Sequence, residues 1–130
     1  MLGNDLSTMA TKTGKYLLVC SLTWIVSTYA CENVTLKRKP KIAEFPDAIT
    51  SRGAKHINEL IKASKKGYKI YIAFIIQRED CDQLSIASDI DPEYSQILSK
   101  AIRNKLKVLC YDCKFSSKGI KLNKKIKLKF

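Results

Sequence analysis

The chain has 130 residues, with 24 Lys and Arg against 12 Asp and Glu, a formal net charge of +12. That length is one domain with a core large enough to need no staples. So large a basic excess points to polyanionic partners, DNA, RNA or an anionic membrane, nucleic acid foremost, with a solvated basic exterior as the plain alternative. The five cysteines are odd in number and lack framework spacing, so no disulfides are inferred. Cys110-Tyr-Asp-Cys113 is a single CxxC without a second pair or a nearby histidine, and it reads as structural thiols rather than a zinc site.

Residues 1–15 are small and polar and read as loose. Tyr16 to Tyr29 is an apolar run, too short for a comfortable transmembrane helix. Two readings stay open for it. It has the shape of a signal-peptide core, with Lys12 and Lys15 before it and Ala30 after it. Its Val19, Thr23, Trp24, Ile25, Val26 and Thr28 equally suit one or two buried strands. Asn33 to Leu36 reads as a strand end, and Asn33-Val34-Thr35 is a low-specificity glycosylation match. Lys37, Arg38, Lys39 and Lys41, broken by Pro40, read as a loop, either solvated or in contact with phosphates.

Glu44 to Ile61 carries the clearest pattern. Pro46 sets Phe45 extended, and Thr50 or Ser51 supplies a cap for a helix running to about Lys66. Ala54, Ile57, Leu60 and Ile61 make its apolar face. Gly67 suits a left-handed stop, and Lys62, Lys65 and Lys66 suit the helix dipole. Arg52 and Lys55 in the opening turn, beside free backbone amides, offer an anion a place to bind. Tyr68 to Ile76 then reads as a strand buried on both faces. It ends at Gln77 and Arg78, site candidates because ligands in such sheets bind at strand C-termini.

Cys81 to Ile90 reads as a polar loop. Asp91-Pro92-Glu93 is a helix start, with Tyr94, Ile97, Leu98, Ala101 and Ile102 on the buried face. Leu106 to Cys113 alternates as a strand, with Val108, Cys110 and Asp112 on one side and Leu109, Tyr111 and Cys113 on the other. In the tail, Ile120, Leu122, Ile126, Leu128 and Phe130 alternate with lysines around an Asn123-Lys124-Lys125 turn. This predicts a C-terminal basic hairpin, either a lysine-protected edge or a DNA-facing surface. No Gly-rich phosphate loop, internal repeat or domain linker is visible.

With these segments laid out, the chain resembles the sugar fermentation stimulation proteins. The matching pieces are Asn33-Val34-Thr35-Leu36, FPDAITSRGAKHINELI, the strand ending FIIQR, DIDPEYSQIL, VLCYDC and KGI, in the family's order. They span roughly Glu32 to Ile120, and FPDA-x-T-x-RG-x-KH is long and specific. The resemblance implies an α/β fold: a mixed sheet with two flanking helices in a restriction-endonuclease-like, PD-(D/E)xK-type core, here with the C-terminal basic hairpin. It implies DNA binding and a link to regulation of sugar, chiefly maltose, metabolism.

Two departures bear on function. The family's N-terminal OB-like domain has no room before residue 32, so residues 1–31 are expected to be a divergent or degraded segment of a truncated protein and 32–130 the nuclease-like DNA-binding domain. The family's Glu-x-Lys falls on Ala30-Cys31-Glu32, and its preceding metal-binding aspartate has no counterpart. Paired carboxylates hold the divalent metal in such enzymes and the lysine offsets developing charge; lone Glu32 cannot serve both needs. The expectation is therefore a cytoplasmic DNA-binding protein without catalytic or metal-ligating residues, and with no small-molecule substrate or membrane partner. Its DNA contacts would come from Arg52, Lys55, His56, Gln77, Arg78, Lys37, Arg38 and Lys39. The alternatives are a nuclease, which alone would need a divalent metal, an exported basic protein, and a non-functional remnant.

Overall fold

The apolar strand Lys69–Ile76 is the middle of the molecule. A computed structural model of the chain describes residues 14–20 and 25–130, with side chains from residue 27. Its first elements are strands β1 (Gly14–Cys20), β2 (Ile25–Val34), β3 (Leu36–Lys39) and β4 (Ile42–Phe45). Helix α1 (Ser51–Lys65) leads into β5 (Lys69–Ile76) and β6 (Gln83–Ile86). Helix α2 (Pro92–Arg103) is followed by β7 (Lys107–Ser116), β8 (Gly119–Lys125) and β9 (Lys127–Lys129). Two mixed sheets result, ordered β1-β2-β5-β7-β8 and β3-β4-β6-β9. In the larger sheet β2, β5 and β7 run parallel and both outer strands antiparallel.

Strand alternation divides the apolar residues between two clusters. Ile70, Ile72, Phe74 and Ile76 of β5 join Ala30 and Val34 of β2 in the main core. That core also takes Ile57, Leu60 and Ile61 of α1, Leu98 and Ala101 of α2, and Phe45 and Leu84 of the smaller sheet. On the other face Ala73 and Ile75 pack with Tyr29, Cys31 and Cys113. Burial on both sides is what a nearly continuous apolar strand requires. Val108 and Cys110 do fall with the main core and Leu109, Tyr111 and Cys113 with the second cluster. The two thiols of the CxxC thus point to opposite faces of β7 and cannot share a metal.

The helices begin and end for local reasons. Thr50 caps α1, its hydroxyl accepting from Gly53 N at 2.9 Å, and Gly67 closes it at φ 92°. Asp91 caps α2, accepting from Tyr94 N at 3.0 Å.

Four expectations change. The basic run at 37–41 is a loop only at its end: Leu36–Lys39 pairs with β4, its Lys37 and Arg38 held by ion pairs described below, and Pro40 and Lys41 form the turn. The segment 81–90 contains β6, whose Leu84 and Ile86 are buried. Asn123-Lys124-Lys125 is not a turn: β8 runs through to Lys125, the turn lies between Ser116 and Gly119, and Lys127–Lys129 leaves to pair with β6. Asp112 accounts for this path. Its buried carboxylate accepts from Lys124 N at 2.8 Å and Asn123 Nδ2 at 3.4 Å, filling the irregularity between Tyr111 and Cys113. Finally, β1 begins at Gly14, so residues 14 and 15 are strand rather than loose. Of the run Tyr16–Tyr29, residues 16–20 lie in β1 and 25–29 in β2, while the expected loose start at 1–13 and residues 21–24, Thr23 and Trp24 among them, lie outside the described residues. Among the described residues, no helix is long and apolar enough to cross a membrane.

Candidate functional site

The start of α1 and the middle of β2 converge on Glu32. By alternation Glu32 sits on the same face of β2 as Ala30 and Val34, between two core residues. A strand that is apolar on that face brings a carboxylate under the first turns of α1. His56 Nδ1 lies 3.2 Å from Glu32 Oε1, and both side chains are largely buried. Burial pushes the Glu32 carboxyl above the usual carboxylate range, against the His56 hydrogen bond and the His56 and Arg52 charges, which lower it. A cavity of about 230 Å³ opens here, with Glu32, Asn33, Asp47, Thr50 and Arg52 in its wall.

Buried Asp91 holds this corner in place. One oxygen caps α2, and the other accepts Thr50 N at 2.9 Å, so a single carboxylate fastens both helix starts. Gly53 lets them approach: a Cβ there would lie 2.9 Å from Thr50 Cγ2 and 3.0 Å from Tyr94 Cε2. Tyr94 is fully buried, and its hydroxyl has no partner among the described residues. Burial, with the charges of Glu32 and Asp91, raises its pKa well above the usual phenol value.

The predicted binding residues fall into separate groups. Arg52 and His56 come together at Glu32. Lys55 is exposed on the groove between the two helix starts. Lys37 and Arg78 meet on one carboxylate: Asp80 accepts Lys37 Nζ at 2.8 Å and Arg78 Nε and a terminal nitrogen at 2.8 Å each. Both contacts hold the Asp80 carboxyl far below the usual range. Arg38 is a clamp. It donates twice to Glu44 at 2.8 Å and twice to Asp89 at 2.6 and 2.9 Å, tying β3 to β4 and to the turn after β6. Gln77 is half-buried, its backbone N–H donating to Val34 O at 2.8 Å. Lys39 is exposed at the end of β3. Of the eight, Arg52, Lys55 and Lys39 remain exposed and outside every ion pair among the described residues.

Sequence reasoning weighed Glu32 only as a misplaced nuclease residue and passed over Asp47 and Tyr94. One signal was present: Glu32 is the sole acid between Asp5 and Glu44, inside an apolar strand. Ala30 contributes a methyl group to the core, and Glu32 is engaged with His56. The corner sets two carboxylates, Glu32 and Asp47, beside cationic Arg52 and the positive end of α1, whose first turn holds no acid.

Residues 31–119 match the family model described as the sugar fermentation stimulation protein RE domain. A sugar fermentation stimulation protein homolog from Pelagibacter ubique is 52% identical over 97 residues, covering 75% of this chain and 42% of the relative. The homolog from Rhodospirillum centenum is 39% identical over the same length and shares. The chain thus spans less than half the length of these curated relatives. A solved structure of Pyrococcus furiosus SfsA in complex with Ca2+ superimposes with a TM-score of 0.79 at 23% identity, over 88% of this chain and 49% of that one, which shows a shared fold. By its matched domain and its relatives, the chain belongs to the sugar fermentation stimulation protein family.

Proposed function

We propose that this chain is a DNA-binding module on a nuclease-like scaffold that does not cleave. The observation that carries this reading is the opening of α1: Arg52 and Lys55 are exposed, no acid occupies the first turn, and the helix dipole adds to their charge. Lys39, Lys114 of β7 and the lysines of β8 and β9 extend the positive surface that a duplex would meet. Arg38, Arg78 and Lys37 serve the fold first, since each is held by a carboxylate. Given the family's name, the DNA would belong to genes of sugar metabolism, maltose genes foremost, in the cytoplasm.

Fluorescence anisotropy on a labelled duplex tests this. Affinity falls steeply as salt rises, and Arg52→Ala or Lys55→Ala lowers the salt slope by about one unit each. Arg38→Ala lowers stability instead. A flat salt dependence refutes the reading. A metal-dependent nuclease is the competing reading, and the Ca2+ in the archaeal relative's structure motivates it. Cleavage in Mg2+ or Mn2+ that disappears in Glu32→Gln would establish it.

A further inference from the structure

A second cavity lies at the far end of the parallel strands. It encloses about 520 Å³ where both helices end and β5 and β7 begin. Arg103 comes from the last turn of α2, Lys105 from the turn after it, Lys69 from the start of β5 and Lys107 from the start of β7. Tyr68, packed on the main core, and Tyr71, stacked on Tyr29 in the second cluster, border it from the two faces of the sheet, and no described residue of its wall is an acid. None of the four cations has an ion-pair partner among the described residues. Elsewhere Arg38, Arg78 and Lys37 are each held by a carboxylate.

Helix dipoles attract cations to helix C-termini, which accounts for Arg103 and Lys105. It does not account for Lys69 and Lys107, which open strands and raise the cost of crowding like charges together. Lys105 adds a second point. Both helices close in the same way: Gly67 N donates to Ser64 O and Tyr68 N to Ala63 O, while Lys105 N donates to Ile102 O and Leu106 N to Ala101 O. Each stop needs a left-handed residue. After α1 it is Gly67 at φ 92°, and after α2 it is Lys105 at φ 70°. Glycine is the low-cost residue in that conformation. A lysine there sets a fourth cation at the cavity wall at the expense of backbone strain.

We infer that this cavity binds a small phosphorylated molecule of nucleotide size. The four cations take the phosphates, and the volume lies within the range of small-molecule sites. The site is separate from the proposed DNA surface. Arg52 and Ser64 stand at opposite ends of α1, twelve residues or about 18 Å apart.

Isothermal titration of the full chain with ADP tests the inference. The wild type gives saturable, one-site binding at millimolar ADP or below. Lys105→Gly binds about tenfold more weakly, the loss of one charge-assisted contact, while its melting temperature stays equal or rises because the strain is relieved. Arg52→Ala binds ADP as the wild type does. Three results would overturn the inference: no saturable binding to the wild type, unchanged affinity in Lys105→Gly, or equal loss in Arg52→Ala, which marks general surface attraction.

Discussion

Replacing Asp91 with alanine removes one side chain and loosens two helix starts. The carboxylate is 4% exposed and accepts Thr50 N at 2.9 Å and Tyr94 N at 3.0 Å. Hydrogen bonds to a charged acceptor contribute about 1.5 kcal/mol or more each. Truncation also leaves the Thr50 amide, in a part-buried setting, without an acceptor, so the total loss is about 3 kcal/mol. With a urea slope of about 1.5 kcal/mol per molar, the unfolding midpoint falls by about 2 M. Asp91→Asn keeps one uncharged acceptor and loses about half as much. Urea unfolding followed by far-UV circular dichroism measures both variants against the wild type. A loss below about 1 kcal/mol for the alanine variant, or equal losses for both, refutes the stapling role. The same variant weakens DNA binding, because Arg52 and Lys55 ride on the segment that Thr50 anchors.

Gly53→Ala gains helix propensity but drives a methyl group to 2.9 Å from Thr50 Cγ2. The net effect is a loss of about 1–2 kcal/mol, measured by the same denaturant titration. The acid limb of stability depends on the Arg38 clamp: Arg38 lowers the Asp89 carboxyl from 3.8 to about 2 and lowers Glu44 as well. Carboxyls depressed on folding contribute fully above their unfolded values and lose that contribution as pH falls through the folded ones, so melting temperature drops between about pH 4 and pH 2. Arg38→Met flattens that slope, and an unchanged slope counts against the clamp. Glu32 has the opposite sign: burial raises its folded value, so ionising it opposes folding as pH rises past that value. Glu32→Gln therefore narrows the stability difference between pH 5 and pH 8, and a wider difference refutes the assignment.

The elements legible in the sequence were those whose signals are local. Strand β5 shows as a nearly unbroken apolar run, and α1 and α2 show through caps, periodic faces and a glycine stop. Strands β3 and β6 did not show, and β9 showed as an alternating segment assigned to the wrong partner. Strands β3 and β6 have four residues each, and β3 is mostly Lys and Arg, which reads as solvent-exposed loop. Its Lys37 and Arg38 are satisfied by Asp80, Glu44 and Asp89, up to 51 residues away. Only the fold brings these carboxylates to it. The candidate site divides the same way. Arg52 and His56 were visible as the basic opening of a helix, whereas Glu32 joins them across 24 residues through strand pairing. The same pairing turned Arg38 and Arg78 from free phosphate ligands into structural ties.

The smaller sheet also sets the order in which the molecule can assemble. Ile42 pairs with Gln83 and Gln83 with Lys127, separations of 41 and 44 residues. Contacts this far apart close large loops before they return any free energy, which slows folding. Strand β9 emerges from the ribosome after β6 and both helices, and Ile126 just before it is a buried core residue. While β9 is unmade, one edge of β6 stays open as a template for another chain. Synthesis that stalls between Lys105 and Lys125 thus leaves both helices able to form beside an unclosed sheet, the stage at which aggregation competes most with folding.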